Sequence, residues 1–492
     1  MDLKEFELIY KENRVIIKDK PEIESKLKKI VGLNNFSTKE IDLLAYTKDS
    51  TLLAFNWEIE GKIAGLPDFI TWPETTEQIS EILKLANQEK IPVIPYGEGS
   101  GVVGGAIPLY GGIMIDMKKF NRVLEINDKN LTVTAEAGIN GMNLERHLNA
   151  KGYTSGHIPQ SLYISSLGGW IAHRAAGQFS TKYGKIEDIV MGMEIILPQG
   201  EVIKFKTIPR ASTGPQLDKL FIGGEGTLGI VTKATLKIWP YPEKRTLISY
   251  AFPTIEKSFD AVREILREQI YPAVVRIYDQ FETARHFPDN TKAKEKVMAI
   301  FVCEGNSKLV DLEESITRDK CELSAGIDCG KTPVEHWIES RFRVTETSSM
   351  PPYKIVFDTL EVASLWDNAV DIYQKVIESM NQFKGVLMIT AHVSHFYPNG
   401  VGIYFSFGGV PPRGITDLKF YQGCWDTIIK SVLDAGGSIA HHHGIGINRS
   451  HWMDEEWSNA MNTLRQIKNL LDPNNILNPG KIYKGTWQRG EN

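Results

Sequence analysis

Three histidines stand side by side near the C-terminal end, His441, His442 and His443, followed at once by Gly-Ile-Gly. Imidazole trades protons near neutral pH, so the triplet is a candidate for acid/base work, with His442 and His443 foremost. A polar cluster of this kind also stabilises negative charge that develops beside it. In an extended segment adjacent side chains point to opposite faces, so three in a row cannot all reach one ion. No CxxC or HExxH partner is present, and no metal site is expected. Tyr404, in the alternating GIYFSF, shares one strand face with Ser406, while Ile403 and Phe405 take the other. Arg341 and Arg343, in WIESRFR, offer forks of N–H donors for a substrate phosphate or carboxylate.

A second kind of chemistry is written in glycine. GEGSGVVGG (97–105) follows the apolar run Ile91-Pro92-Val93-Ile94, as a loop at the end of a buried strand. Backbone N–H groups can turn towards a diphosphate only where no Cβ stands in the way. One such loop reads equally well as a tight turn. SLGGWIAHRAAG (166–177) and FIGGEGTLGIVT (221–232) repeat the pattern, mixing hydroxyls with small residues. Three segments of this kind are hard to explain as unrelated turns, and a long flat ligand explains them together. The spacing is not that of a nicotinamide-binding fingerprint, and the next strand follows too closely for a crossover helix. GxxxxGK[ST] is absent, which argues against an ATPase or kinase.

These residues need elements to place them. Thr76 to Asn87 puts Ile79, Ile82, Leu83 and Ala86 on one helical face. IMID (113–116) and LTVTAEAG (131–138) read as strands, with a helix over Met142 to Ala150. VMGMEIILPQGEVIKF (190–205) reads as a hairpin turning at Pro198-Gln199-Gly200, and TKATLKIWP (232–240) as a strand. Beyond Pro242 the pattern gives a strand and helix over 249–268, a strand at 297–305, a helix around 308–320, a strand at 400–407 and a helix around 454–471. The expected fold is α+β, with boundaries at 1–65 (helical segment), 66–243 (ligand-binding domain), 244–435 (sheet-based cap) and 436–492 (a piece returning to the first domain).

At 492 residues the chain exceeds one hydrophobic core. Hydrophobic residues at 42% and charged residues at 24% are those of a globular protein. A net charge of -5 leaves no basic footprint, so no nucleic-acid partner is expected. Cys303, Cys321, Cys329 and Cys424 form no disulfide framework or zinc spacing. The charged N-terminus is no secretory signal, and no apolar run approaches the ~20 residues of a membrane span. The expectation is a cytoplasmic protein, at most membrane-peripheral, assembling as a homodimer.

PYGEGSG, GHIPQSLYISSLGGWIAHRAAG, YGKIEDIV, TGPQLDKLFIGGEGTLGIVTKATLKI, AGGSIAHHHGIG and LDPNNIL together resemble the vanillyl-alcohol oxidase / p-cresol methylhydroxylase superfamily of FAD enzymes. Within it they are most similar to the alkyldihydroxyacetonephosphate synthases. The resemblance implies a two-part FAD-binding domain with an inserted antiparallel-sheet cap. It places the FAD diphosphate at Pro95, Tyr96, Gly97, Glu98, Gly99, Ser100 and Gly101. It completes the cofactor site with Gln160, Ser161, Leu162, Ser165 and Ser166, then His173, Arg174, Ala175 and Ala176. Glu225, Gly226, Thr227, Leu228, Gly229, Ile230 and Val231 follow, with Arg276 supporting the flavin. It makes Tyr404 the acid/base tyrosine, puts the triplet beside the flavin, and adds His157 as an active-site histidine. The 95–105 loop lacks the His or Cys of members with covalent flavin, so the FAD is expected to be non-covalent. The family usually has an acidic residue where this chain has Gln160. His392, in AHVSHFYPNG, stands where the animal-type synthases carry arginine, and with His395 is expected to line the substrate pocket. The implied reaction exchanges an acyl for an alkyl group on dihydroxyacetone phosphate through flavin N5. The alternative is an FAD-dependent dehydrogenase or oxidase of a 2-hydroxy acid or of glycerol 3-phosphate.

Overall fold

The structure, a computed structural model, describes residues 7–8, 11–343 and 355–483. The first half of the chain builds two sheets. In the smaller, β1 (Phe36–Ser37), β2 (Phe69–Thr71), β3 (Val93–Tyr96) and β4 (Ile113–Asp116) lie in the order β1-β2-β4-β3, and the last two pairings are parallel. Helix α1 (Thr76–Glu89) covers it, capped by Thr75, whose side chain accepts from Gln78 N. The apolar face anticipated from its spacing is the face it buries: Ile79, Ile82, Leu83 and Ala86 have no exposed surface. β1 belongs to the stretch expected to be mostly helical. Helices Lys20–Val31, Glu40–Ala45 and Leu52–Ile59 do form there, but Phe36 and Ser37 pair with Thr71 and Ile70.

The second sheet runs β8-β7-β9-β6-β5, all antiparallel, from β5 (Val123–Asn127), β6 (Thr132–Glu136), β7 (Val190–Ile196), β8 (Val202–Lys204) and β9 (Ile230–Lys237). β7 and β8 are the anticipated hairpin, with Gly200 at φ 82° in its turn.

Past Lys237 the chain changes sheets. Seven strands form the cap, in the order β13-β10-β12-β11-β15-β16-β14. They are β10 (Lys244–Phe252), β11 (Val274–Tyr278), β12 (Val297–Gly305), β13 (Ile327–Asp328), β14 (Val356–Leu365), β15 (Val386–Tyr397) and β16 (Gly400–Gly409). Helices α2 (Ile255–Arg267), α3 (Ser307–Leu323), α4 (Trp366–Gln382) and α5 (Asp417–Asp434) accompany these strands. Ile403 and Phe405 are fully buried on the apolar side of β16 among Leu360, Val362, Ala391 and Val393. The opposite side of the same strands is therefore free to carry polar residues.

The C-terminal segment returns to the first sheet. Val93 N donates to Ile476 O and Asn478 N to Val93 O, so residues 476–478 extend β3 at its outer edge. The helix expected over 454–471 is two, Met453–Trp457 and Ala460–Leu471. Ser458 at φ 47° breaks the ladder between them, a backbone state that local sequence pattern does not announce. No helix among the described residues is long and apolar enough to cross a membrane.

Candidate active site

One row across the cap sheet gathers most of the candidate chemistry. Tyr278 on β11 pairs with His392 on β15, His392 with Tyr404 on β16, and Tyr404 with Glu361 on β14. Directly opposed residues on adjacent strands share a face, so the four side chains form one wall. The His392 ring stacks on Tyr404 at 4.5 Å between centroids and 17° between planes. Tyr404 Oη donates to Thr359 Oγ1 at 2.7 Å, and burial pushes its pKa up. The rings of His442 and His443 lie 6.5 Å and 5.5 Å from Tyr404, which joins the triplet to the wall.

Glu361 holds the triplet in place. Its Oε1 accepts the backbone N–H of His441 at 3.1 Å, His442 at 2.9 Å and His443 at 2.7 Å. Three consecutive amides around one anion form a nest, here with the anion supplied by the protein itself. Arg449 Nη2 reaches Oε2 at 2.5 Å, and Arg449 Nη1 bonds both Oε1 at 3.2 Å and Gly444 O at 2.7 Å. His443 Nδ1 stands 2.9 Å from Oε2, off the line of a well-aligned hydrogen bond. Burial alone would raise the Glu361 pKa, but Arg449 and His443 hold it well below the usual carboxylate range. The pair is 0% and 1% exposed, so the charge of each is compensated almost entirely by the other. Nothing in the motif HHHGIGINR names a partner 88 residues upstream. A charged residue inside the apolar strand TLEVAS was the available signal.

The triplet's rings divide their tasks. His441 Nε2 bonds Tyr397 Oη at 2.8 Å, and its carbonyl accepts from Lys185 Nζ at 2.6 Å. Its Nδ1 lies 2.9 Å from His442 Nδ1, so one of the two donates. His395, whose Nδ1 bonds Ser180 Oγ at 2.7 Å, packs on both. One nitrogen each from His395, His441 and His442 lie within 4.8 Å of one another, a set able to hold an ion. The adjacent rings of His441 and His442 meet here rather than pointing to opposite faces, His443 turns to Glu361, and the third imidazole arrives from β15, which the sequence could not foresee. Burial keeps His395, His441 and His442 well below the ordinary imidazole pKa and so uncharged.

The glycine segments meet beside this cluster. A methyl at Gly97 would lie 2.4 Å from Ser166 Oγ, and one at Gly105 would lie 2.8 Å from His173 Nε2. Gly226, at φ 70°, sits against Pro95, and Gly444, at φ 85°, sits against both His173 and Glu225. Ser50 N donates to Gly101 O, Lys118 Nζ to Gly97 O and Asn140 Nδ2 to Glu98 Oε1. The Glu225 carboxylate accepts Ile445 N at 2.5 Å and Gly446 N at 2.8 Å, tying the residues just after the triplet to the third glycine segment. Asn478 Nδ2 joins Gly105 O to Glu225 O. His173 Nε2 and Asp49 Oδ2 are buried here without a partner, and both lie within 4 Å of a Cβ placed at Gly101. A cradle emptied of Cβ atoms, with unsatisfied polar groups facing it, fits a polar cofactor. Asp49 lies in the N-terminal stretch, which the sequence motifs did not reach.

Other candidates lie differently. Ser166 caps helix Leu167–His173, and Ser165 accepts from Trp170 Nε1. Leu162 is core, Gln160 is exposed, and Arg174 pairs with Glu187. His157 is fully buried against Trp170 with both ring nitrogens unpaired, and burial lowers its pKa to about 3. Arg276 lies over the Tyr278 ring with its Nε buried and unpaired. Arg341 stacks among Phe179, Trp337 and Phe342, and burial with the nearby Arg245 lowers its pKa to about 10. Phe179 precedes Ser180, the partner of His395, so Arg341 stands behind the histidine cluster. Arg343 is exposed.

Comparison with known proteins bears on this geometry. Residues 67–206 match the FAD binding domain family, and residues 241–482 match the C-terminal domain of FAD linked oxidases. An uncharacterized FAD-linked oxidoreductase of Escherichia coli, YgcU, is 31% identical over 485 residues, 94% of this chain and 98% of that protein. The alkyldihydroxyacetonephosphate synthase of Caenorhabditis elegans is 32% identical over 454 residues, 85% of this chain and 76% of that protein. A solved alkyldihydroxyacetonephosphate synthase superposes with a TM-score of 0.78 at 26% identity, covering 95% of this chain and 88% of that one. The fold is also that of p-cresol methylhydroxylase, with a TM-score of 0.70 at 18% identity over 94% of this chain and 96% of that one. The chain is an FAD-binding enzyme and belongs to the FAD-linked oxidase family.

Proposed function

We propose that this enzyme works at a carbon beside an oxygen of a small substrate bearing phosphate or carboxylate, and that its first reading is exchange of an acyl for an alkyl group on dihydroxyacetone phosphate. The observation that carries it is the wall itself. Tyr404 lies between His392 and the Glu361-anchored triplet, so a proton can be held or moved on either side of it. Pro95 to Gly101, Ser166, His173 and Glu225 to Val231 would hold FAD non-covalently. When bound, the flavin supplies a ring that accepts an electron pair or a substrate carbon. Arg341 is the substrate-anion candidate, because its guanidinium is buried without a carboxylate within salt-bridge distance among the described residues.

The second reading is a dehydrogenase of a 2-hydroxy acid or glycerol 3-phosphate. It is favoured by the similarity to the Escherichia coli FAD-linked oxidoreductase, a redox enzyme by its name. Two assays on the FAD-loaded protein separate the readings. Exchange of labelled fatty alcohol into acyl-dihydroxyacetone phosphate is expected from the first and rules out the second. Anaerobic loss of the flavin's visible absorption on adding D-lactate, glycolate or glycerol 3-phosphate, with turnover onto a dye, is expected from the second and rules out the first.

A further inference from the structure

The wall carries a carboxylate at each end, and only one of them is explained by the triplet. Beyond His392 stands Glu282, on the short helix Gln280–His286 that follows β11. Its Oε2 lies 3.2 Å from His392 Nδ1, and its Oε1 accepts from Thr390 Oγ1 at 3.0 Å. The Glu282 side chain is 4% exposed, yet no lysine or arginine pairs with it among the described residues. A buried carboxylate with no lysine or arginine within salt-bridge distance is costly, and here one oxygen is taken by a hydroxyl and the other by an imidazole.

We infer that His392 is the group that accepts the substrate's proton in this enzyme, with Glu282 as the residue that positions it. The inference rests on the reading of the wall as the reacting site, and it applies to either reaction. A carboxylate on Nδ1 fixes the neutral ring with its proton on that nitrogen, so Nε2 presents a lone pair. Nε2 has no hydrogen bond to the protein among the described residues, and the side chain keeps 12% exposure, which leaves that nitrogen reachable. Of the competing groups, Tyr404 Oη donates to Thr359, His441 and His442 share one hydrogen bond, His395 is held by Ser180, and His443 stands against a carboxylate that Arg449 already compensates.

Electrostatics support the arrangement. The charged and titratable groups facing the ring are Arg276 and Tyr278 from β11, Glu282, Asp279 and His286 from the helical turn, Tyr404 from β16, and His395 from its own strand. Burial and Arg276 lower His392 to about 4 against the pull of Glu282, so the ring is neutral and able to accept. Burial would raise Glu282, but His392 and Arg276 hold it at about 2, so it is ionised. In the proposed step an O–H or C–H bond of the substrate breaks, an Nε2–H bond forms, and the electron pair stays on the substrate.

The test uses FAD-loaded wild type with Glu282→Gln, Glu282→Asp and His392→Gln, in whichever assay the wild type satisfies. Losing a positioned base costs about 10²–10⁴ in rate. We expect His392→Gln to lower kcat on that scale with KM within a few-fold, and Glu282→Gln to follow it and to displace the acid limb of the pH profile. Glu282→Asp should recover part of the rate, and the double variant should be no slower than His392→Gln, because the two act as a unit. Wild-type kcat and pH profile in Glu282→Gln would overturn the inference and leave the proposed function intact. Wild type inactive in both assays removes the proposed function instead. The inference then stands or falls on nitrogen-15 histidine NMR of the FAD-loaded protein. A His392 ring protonated at Nδ1 and bare at Nε2, inverted in Glu282→Gln, supports it, and the opposite tautomer in wild type overturns it.

Discussion

A single carboxylate oxygen that accepts three successive amides does work usually shared by several loop residues. Glu361 shapes the His441–His443 backbone, orients His443 and compensates Arg449 at once. Removing one member of a fully buried pair typically costs 3–5 kcal/mol, about what is expected here, because the survivor's charge stays buried. Arg449→Met is therefore expected to lose stability on that scale in denaturant unfolding of the FAD-loaded protein. Glu361→Gln should lose stability on the same scale, since it leaves Arg449 charged and buried, and should lower the rate in the assay that the wild type satisfies. Equal stability of Arg449→Met and wild type would show that the pair does not organise the triplet. At this scale the sequence was half legible. His442, His443 and Tyr404 announce themselves by type and company, and the structure brings them together. Glu361 and Glu282 do not, because a lone carboxylate in a strand or a short helix looks like any solvent-facing residue until what packs over it is known.

Segments show a different balance. Hairpins and amphipathic helices were readable, because a two-residue or 3.6-residue period needs only local information. The break at Ser458 and the pairing of Phe36–Ser37 were not, since both depend on what packs against them. The glycine segments lie between these cases: their purpose was visible, but the partner each one leans on was not. Gly446 sits at φ 53°, and a methyl there would lie 2.1 Å from the Val103 carbonyl. Gly446→Ala must therefore both strain its own backbone, costing about 1–2 kcal/mol, and push Val103 away. We expect protein with less retained flavin, measured as the ratio of flavin to protein absorbance after gel filtration. Full flavin retention with an unchanged melting temperature would mean that the 103–105 turn yields without cost.

Across the whole molecule, buried carboxylates give stability a pH signature. Burial raises Asp279 and Asp358 to about 6, against the hydrogen bonds from Glu282 N and Ala391 N to the first and from Tyr421 and Trp425 to the second. A carboxylate whose pKa is higher folded than unfolded binds more protons in the native state. Each of these groups therefore lowers stability as pH rises from about 4 to 6, by about 1.4 kcal/mol per pH unit at most. Lys481, lowered by burial to about 7, acts in a separate window, and its contribution rises with pH from about 7 to 10.5. Denaturant titrations between about pH 4.5 and 6 should show for Asp279→Asn a dependence of stability on pH that is more positive than that of wild type. An identical slope would mean that Asp279 titrates alike in both states. The change of sheet past Lys237 was legible at this scale because composition and strand pattern change near Pro242. The seven-strand order of the cap was not, since strands far apart in the chain pair there without any local trace.

The edge contact between Val93 and residues 476–478 has a consequence for how the protein is made. A ribosome releases Val93 long before Leu477, so the border of the first sheet stays open until this distant segment has emerged. The Glu225 carboxylate waits too, since the amides it accepts belong to Ile445 and Gly446. The cofactor half of this enzyme, though written first, is therefore expected to be among the last parts to mature. A nascent chain stalled before residue 440 should remain protease-sensitive across its glycine segments even when FAD is abundant.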